Sequence, residues 1–104
     1  MVRINWTAQA VIDLKEIAEY ISKDSKKYAS LQIQRIKNRT QILKTNSYSG
    51  HILEFFGKKE IRQLVEGNYL IIYRIVDESR IDILTIHHSA RDLGKRIDIF
   101  TPIV

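Results

Sequence analysis

The side chains equipped for chemistry gather in the second half of this sequence. Glu54, His87 and His88 could act as general base or acid, and Lys58, Arg62 and Arg91 could hold a phosphate. Cleaving RNA through its own 2′-hydroxyl needs such a set: a base at the hydroxyl, cations around the scissile phosphate and an acid for the leaving oxygen. Each residue also has a plainer reading. Glu54 would serve equally as a loop cap or ion-pair partner. Glu60 or Asp92 could balance Arg62 and Arg91, and either histidine could be a hydrogen-bonded structural residue. The two histidines are consecutive, so on a strand they point to opposite faces and only one can face a common site. A metal centre finds no support, because there are three histidines, no cysteine and no HxxxH spacing with a carboxylate beside it. Glycine-rich phosphate loops, nucleophile elbows and RNA-recognition aromatic motifs are absent too, and no cofactor is expected.

The elements that must position these groups follow from periodicity. Ile61–Val65 and Arg80–His87 alternate as strands, and Tyr69–Val76 (YLIIYRIV) is almost continuously apolar, the mark of a central strand covered on both sides. Glu66-Gly67-Asn68 and Asp77-Glu78-Ser79 supply the reversals between them. Upstream, Val2, Ile4 and Trp6 alternate with Arg3 and Asn5 as a short strand. Thr7 then caps a helix over about 8–22, with Val11, Leu14, Ile17, Ala18 and Ile21 on one face. Asp24 or Ser25 caps a second helix whose apolar face is Ala29, Ile33, Ile36, Thr40 and Leu43. So short a connection makes the two helices an antiparallel hairpin. TNSYSG (45–50) ends the second helix, and His51–Phe56 is a strand or an extended loop. The tail from Ala90 holds a short turn, and Pro102 argues against a helix at its end. Trp6, Tyr69 and Tyr73 read as core rather than as platforms for bases. The expected fold is α+β: an N-terminal strand, then a two-helix hairpin on a twisted, mainly antiparallel sheet of four or so strands, in one domain over residues 1–104.

Charge narrows the partners. The net charge is +5, and residues 23–44 hold seven basic side chains against one acidic, an excess of +6 that exceeds the whole-chain value. A solvated helix face is the ordinary meaning of such a run. The near absence of acids within it favours an acidic partner, either a phosphate backbone or an acidic protein. No apolar run is long enough to span a bilayer, and the N-terminus lacks the apolar region of a signal peptide, so a soluble cytoplasmic protein is expected.

Particular residues, in this order, resemble the RelE/ParE superfamily of toxins from type II toxin–antitoxin systems. They are Trp6, Thr7 and Ala10; Asp13-Leu14, Ile17 and Tyr20-Ile21 before Asp24-Ser25; Gly50 and Glu54; Ile61-Arg62-Gln63-Leu64; Gly67-x-Tyr69; Tyr73-Arg74; and His88-x-x-Arg91-Asp92-Leu93. The opening WTxxA, the Asp-Ser before the second helix and the closing HxxRDL are closer to the ParE branch. Between Gly50 and Glu54 the chain is one residue shorter than usual, with His51 and Leu53 where relatives carry Arg and Pro.

That resemblance implies a toxin that inhibits DNA gyrase and is neutralised by a cognate acidic antitoxin, in a toxin–antitoxin hetero-oligomer. Its candidate target- or antitoxin-binding residues are Arg35, Arg39, Lys58, Lys59, Arg62, Arg74 and Arg91. An alternative is a RelE-like mRNA endonuclease acting at the ribosome or on free mRNA, with Glu54, Arg62, His87, His88 and Arg91 as candidate catalytic groups. Ribonuclease relatives carry an Arg at the start of the central strand, where this chain has Leu70-Ile71-Ile72. They also carry an aromatic after the terminal His, where it has Ser89, so an intact ribonuclease is disfavoured. A further alternative is a basic binding module that is not toxic.

Overall fold

Alternating apolar residues near the N-terminus form the first strand, β1 (Arg3–Trp6), in a computed structural model that describes residues 2–54 and 57–89. Thr7 does two jobs there. Its hydroxyl accepts from the Ala10 amide, capping helix α1 (Ala8–Ser22), and donates to the Ile83 carbonyl at 2.7 Å. Ser25, rather than Asp24, caps α2 (Lys26–Arg39), accepting from the Tyr28 amide at 3.0 Å. The second helix is shorter than its apolar pattern suggests. Thr40 and Leu43 belong to a tighter 3-10 turn, Thr40–Lys44, whose Thr40 hydroxyl returns to the Lys37 carbonyl.

The remaining strands are β2 (His51–Ile52), β3 (Ile61–Glu66), β4 (Tyr69–Asp77) and β5 (Arg80–His88). Together they make a five-stranded sheet in the order β1-β5-β4-β3-β2. The expected N-terminal strand and sheet of four or so strands are present, and the segment from His51, read as a strand or an extended loop, begins with the two-residue β2. Three pairings are antiparallel, and β1 runs parallel to β5 because the helical hairpin carries the chain across between them. The apolar strand is central as expected. The β3–β4 reversal takes only Gly67 and Asn68, with positive φ (+59°) falling on the first loop residue, where a II′ turn needs glycine.

The helices cover one face of the sheet. Leu14, Ile17, Ile21, Ala29, Ile36 and Leu43 meet Leu64, Ile71, Tyr73, Ile81, Ile83 and Ile86 in one continuous core. At about 1.5–3 kcal/mol for each fully buried large apolar side chain, this cluster is the main source of stability. A smaller cluster, Ile61 and Ile72 with Leu53 and Leu84 packed against it, occupies the opposite face.

A one-residue slip interrupts the β4–β5 register: Ile72 faces Thr85 and Tyr73 faces Ile83, which leaves Leu84 as the extra residue. Groups that such a bulge takes out of the ladder need partners, and α1 with its cap supplies them. The Thr7 hydroxyl reaches the Ile83 and Leu84 carbonyls. The fully buried Asp13 carboxylate accepts from the Thr85 hydroxyl and, at 3.0 Å, from the Ile86 amide, while the Gln9 amide holds its other oxygen at 2.8 Å. At the edge, Asn5 and Arg80 both donate to Asp82. Partial burial raises that carboxyl, but these hydrogen bonds and the charges of Arg80 and Arg74 outweigh it and hold Asp82 below the ordinary 3.8.

Candidate functional site

Arg62 is the most heavily engaged of the expected phosphate-binding cations. From β3 its guanidinium donates to the carbonyls of Lys59 (2.9 Å), Tyr48 (3.1 Å) and Gly50 (3.1 Å), and lies 4.9 Å from the centre of the Tyr48 ring. Neither Glu60 nor a ligand is needed to account for its charge, because carbonyl dipoles and the ring face satisfy it. The same loop is held from below by Tyr73. Its hydroxyl donates to the Ser47 carbonyl at 2.8 Å and accepts from the Gly50 amide at 3.0 Å. Burial pushes the Tyr73 phenol above its ordinary 10.0, against the opposing pull of the Gly50 amide and of Arg62 and Arg39, so it stays a neutral donor. Arg62 and Tyr73 are direct cross-strand partners, and together they clamp residues 47–50.

Arg62→Ala should therefore cost stability by about 1–2 kcal/mol, three carbonyl hydrogen bonds and a cation–π contact being lost at a partly exposed site. Urea denaturation measures this, and amide exchange should show the loss concentrated in residues 47–50. An unchanged midpoint would return Arg62 to the set of cations available for a ligand.

The histidines separate as a strand requires. His87 stands across from Leu70 and is buried, whereas His88 stands across from Tyr69, half-buried, its ring edge-on to Tyr69 with centroids 5.4 Å apart. The rows holding Arg62 and His88 are four residues apart along β3, about 13 Å at the usual strand rise. Arg62 and His88 thus do not flank one scissile phosphate. Glu54 is exposed beside β2, with its carbonyl accepting from the Gly57 amide. Lys58 and Lys59 are exposed in the turn before β3, and Arg74 is exposed on β4 opposite Ile61 and Asp82. Arg39 donates to the Val65 carbonyl at 3.1 Å, tying the end of α2 to β3. Arg91, Asp92 and Leu93, the end of the HxxRDL stretch, and the tail turn with Pro102 lie outside the described residues.

Two concave features remain open. A groove of about 530 Å³ on the helical hairpin is lined by Trp6, Val11, Leu14, Ala18 and Ile33, with Lys15 and Lys37 at its rim. It is apolar at the floor and cationic at the edge. A smaller cleft of about 240 Å³ lies where α2 meets the β3–β4 turn, and His88 and Arg35 both line it. Sequence reading counted Lys37 within the basic run of 23–44 but passed over Lys15, an ordinary surface residue in the helical pattern. It also passed over Gln32, a cleft residue that does leave a signal: an amide on the apolar face of α2, between Ala29 and Ile36. Among the described residues no group of three or more His, Asp or Glu side chains could hold a metal ion, and no helix is long and apolar enough to cross a membrane.

Comparison with known proteins places this arrangement. The family model for the ParE toxin of the type II toxin–antitoxin system parDE matches residues 4–93. No curated protein sequence matches. Among solved structures, the chromosomal ParDE toxin–antitoxin system from P. aeruginosa is similar with a TM-score of 0.69 at 22% identity, over 85% of this chain and 96% of that one. The E. coli DinJ–YafQ complex has a TM-score of 0.62 at 21% identity, and YafQ from E. coli strain BL21(DE3) 0.60 at 21%. Each of these two covers 90% of this chain and all of its own. Identities this low speak for a shared fold.

Proposed function

This chain belongs to the ParE toxin family of type II toxin–antitoxin systems, and from that premise we propose that it inhibits DNA gyrase and is silenced by a cognate acidic antitoxin. The family match over residues 4–93 carries the reading. The geometry of the chemically capable side chains supports a binding role over an intact ribonuclease. Arg62 is spent on the 47–50 loop, Arg62 and His88 stand about four strand residues apart, and His87 is buried on β5.

The antitoxin's place is the groove on the helical hairpin. An apolar floor of Trp6, Val11, Leu14, Ala18 and Ile33 accepts the apolar face of an amphipathic helix, and Lys15 and Lys37 match acids flanking that face. The solved relatives include two structures of toxin–antitoxin systems, ParDE and DinJ–YafQ, consistent with a partner of this kind.

Expression of the chain alone should arrest growth and induce a DNA-damage response, and co-expression of the small acidic product of a neighbouring reading frame should restore growth. Lys15→Glu with Lys37→Glu should weaken that partner's binding at least tenfold, about 1.4 kcal/mol, by titration calorimetry while leaving toxicity intact. Undiminished affinity would remove the groove from the interface. New cuts within codons, seen by primer extension on mRNA after induction, would instead support the endonuclease reading.

A further inference from the structure

The cleft between α2 and the β3–β4 turn contains a combination that the fold does not need. Gln32 is 6% exposed and lines it, yet among the described residues its amide makes no hydrogen bond. Arg35 and Glu66 line the same cleft and are not within ion-pair distance of one another or of any other described residue. The Gln32 amide, although its residue is buried, is not itself sealed from solvent: it opens into the cleft and can bond to what enters it. Tyr28, half exposed, offers a ring at the rim, and Tyr69 with the edge-on His88 forms the inner wall.

We propose that this cleft is a nucleobase site with a preference for guanine. A carboxylate such as Glu66 can accept two hydrogen bonds side by side from the N1–H and the exocyclic amine of guanine. The carbonyl O6 and N7 on the neighbouring edge are acceptors suited to Arg35 and the Gln32 amide. Splayed bases are held in this way, by edge hydrogen bonds and by stacking on an aromatic ring, here Tyr28. A simple anion fits less well, because Glu66 would repel it. The volume agrees: about 240 Å³ lies below the roughly 300–1,000 Å³ of pockets for drug-sized ligands. It holds one planar ring system and leaves sugar and phosphate outside. There Lys26 and Lys27, exposed in the first turn of α2 just before Tyr28, would meet the phosphate. The inference is independent of the gyrase proposal, and either can fail alone.

The test is NMR titration of the full chain with 5′-GMP, AMP, CMP, UMP and inorganic phosphate, and with a uridine hexamer with and without one central guanosine. GMP should shift the amides of Tyr28, Gln32, Glu66 and Asn68 with an affinity on the order of millimolar, and the other nucleotides should bind at least fivefold more weakly. Glu66→Gln and Arg35→Ala should each weaken GMP about tenfold, whereas Glu78→Gln, on the β4–β5 turn, should change nothing. Gln32→Met should abolish binding without lowering the unfolding midpoint, which a purely structural amide would not allow. Tighter binding of the guanosine-containing hexamer than of GMP identifies a single strand as the source, and equal binding a free nucleotide. Identical shifts with phosphate alone, equal response to all four nucleotides, or GMP binding unaffected by Glu66→Gln would overturn the assignment.

Discussion

Asp13→Ala should lose about 3–5 kcal/mol of folding stability, the cost of leaving buried polar partners unpaired, out of the 5–15 kcal/mol available to a domain of this kind. The size follows from what the carboxylate satisfies. It sits fully buried under α1 and takes the Thr85 hydroxyl and the Ile86 amide, which follow directly on the slip at Leu84. Alanine strands two donors in a dry interior and opens a small void besides. Asp13→Asn keeps one acceptor oxygen, so it should cost clearly less, about 1–2 kcal/mol. Thr85→Val in the Asp13→Ala background should recover part of the loss, because one stranded donor is then removed with its partner. Urea denaturation at unchanged m-value measures all three. A loss under 1 kcal/mol for Asp13→Ala would mean that the β5 slip does not depend on α1.

Gly50→Ala is the second large effect, about 3–4 kcal/mol, from overpacking and the hydrogen bonds it breaks. Its cause is space, not backbone conformation, since positive φ occurs only at Gly57 and Gly67 among the described residues. A methyl group at Gly50 would stand 2.6 Å from the Tyr73 hydroxyl, 2.7 Å from that ring's edge and 2.7 Å from the Gln63 carbonyl. Neither neighbour can yield, because Tyr73 is fully buried in the core and Gln63 pairs with both β2 and β4. The loop must move instead, and the Tyr73 bonds to Gly50 and Ser47 go with it. Combining Gly50→Ala with Tyr73→Phe should cost less than the sum of the two, since the nearest clash is removed while two remain. Strict additivity in denaturation midpoints would contradict the clamp.

The fold was legible because its signals are local and repeated. The caps at Thr7 and Ser25, the helical spacing of Leu14, Ile17 and Ile21, and the unbroken YLIIYRIV run each report burial through sequence period alone. The site was less legible, and β5 shows why. Strict alternation from Ile81 and Ile83 would have turned His87 towards the helices. The extra residue at Leu84 reverses the parity, so that Ile86 joins the helix-side core and His88 reaches the cleft. A bulge of one residue has no composition signature, yet it decides which histidine faces which side. Arg62 illustrates a second limit. Its partners are main-chain carbonyls of a loop twelve and fourteen residues upstream, and carbonyls are invisible to any count of charged neighbours. An arginine that looks like a phosphate anchor in sequence is, in the fold, the strut of a loop.

Belonging to the ParE toxin family leaves one question on which the functional account turns, namely the target. Purified chain, added to DNA gyrase with relaxed plasmid and ATP, measures it directly. Dose-dependent loss of supercoiling is expected, reversed by prior addition of the cognate antitoxin, with ribosomal and messenger transcripts intact in cells induced for the chain. Full supercoiling at saturating protein, with mRNA cut within codons and the cutting abolished by His88→Ala, would contradict gyrase as the target.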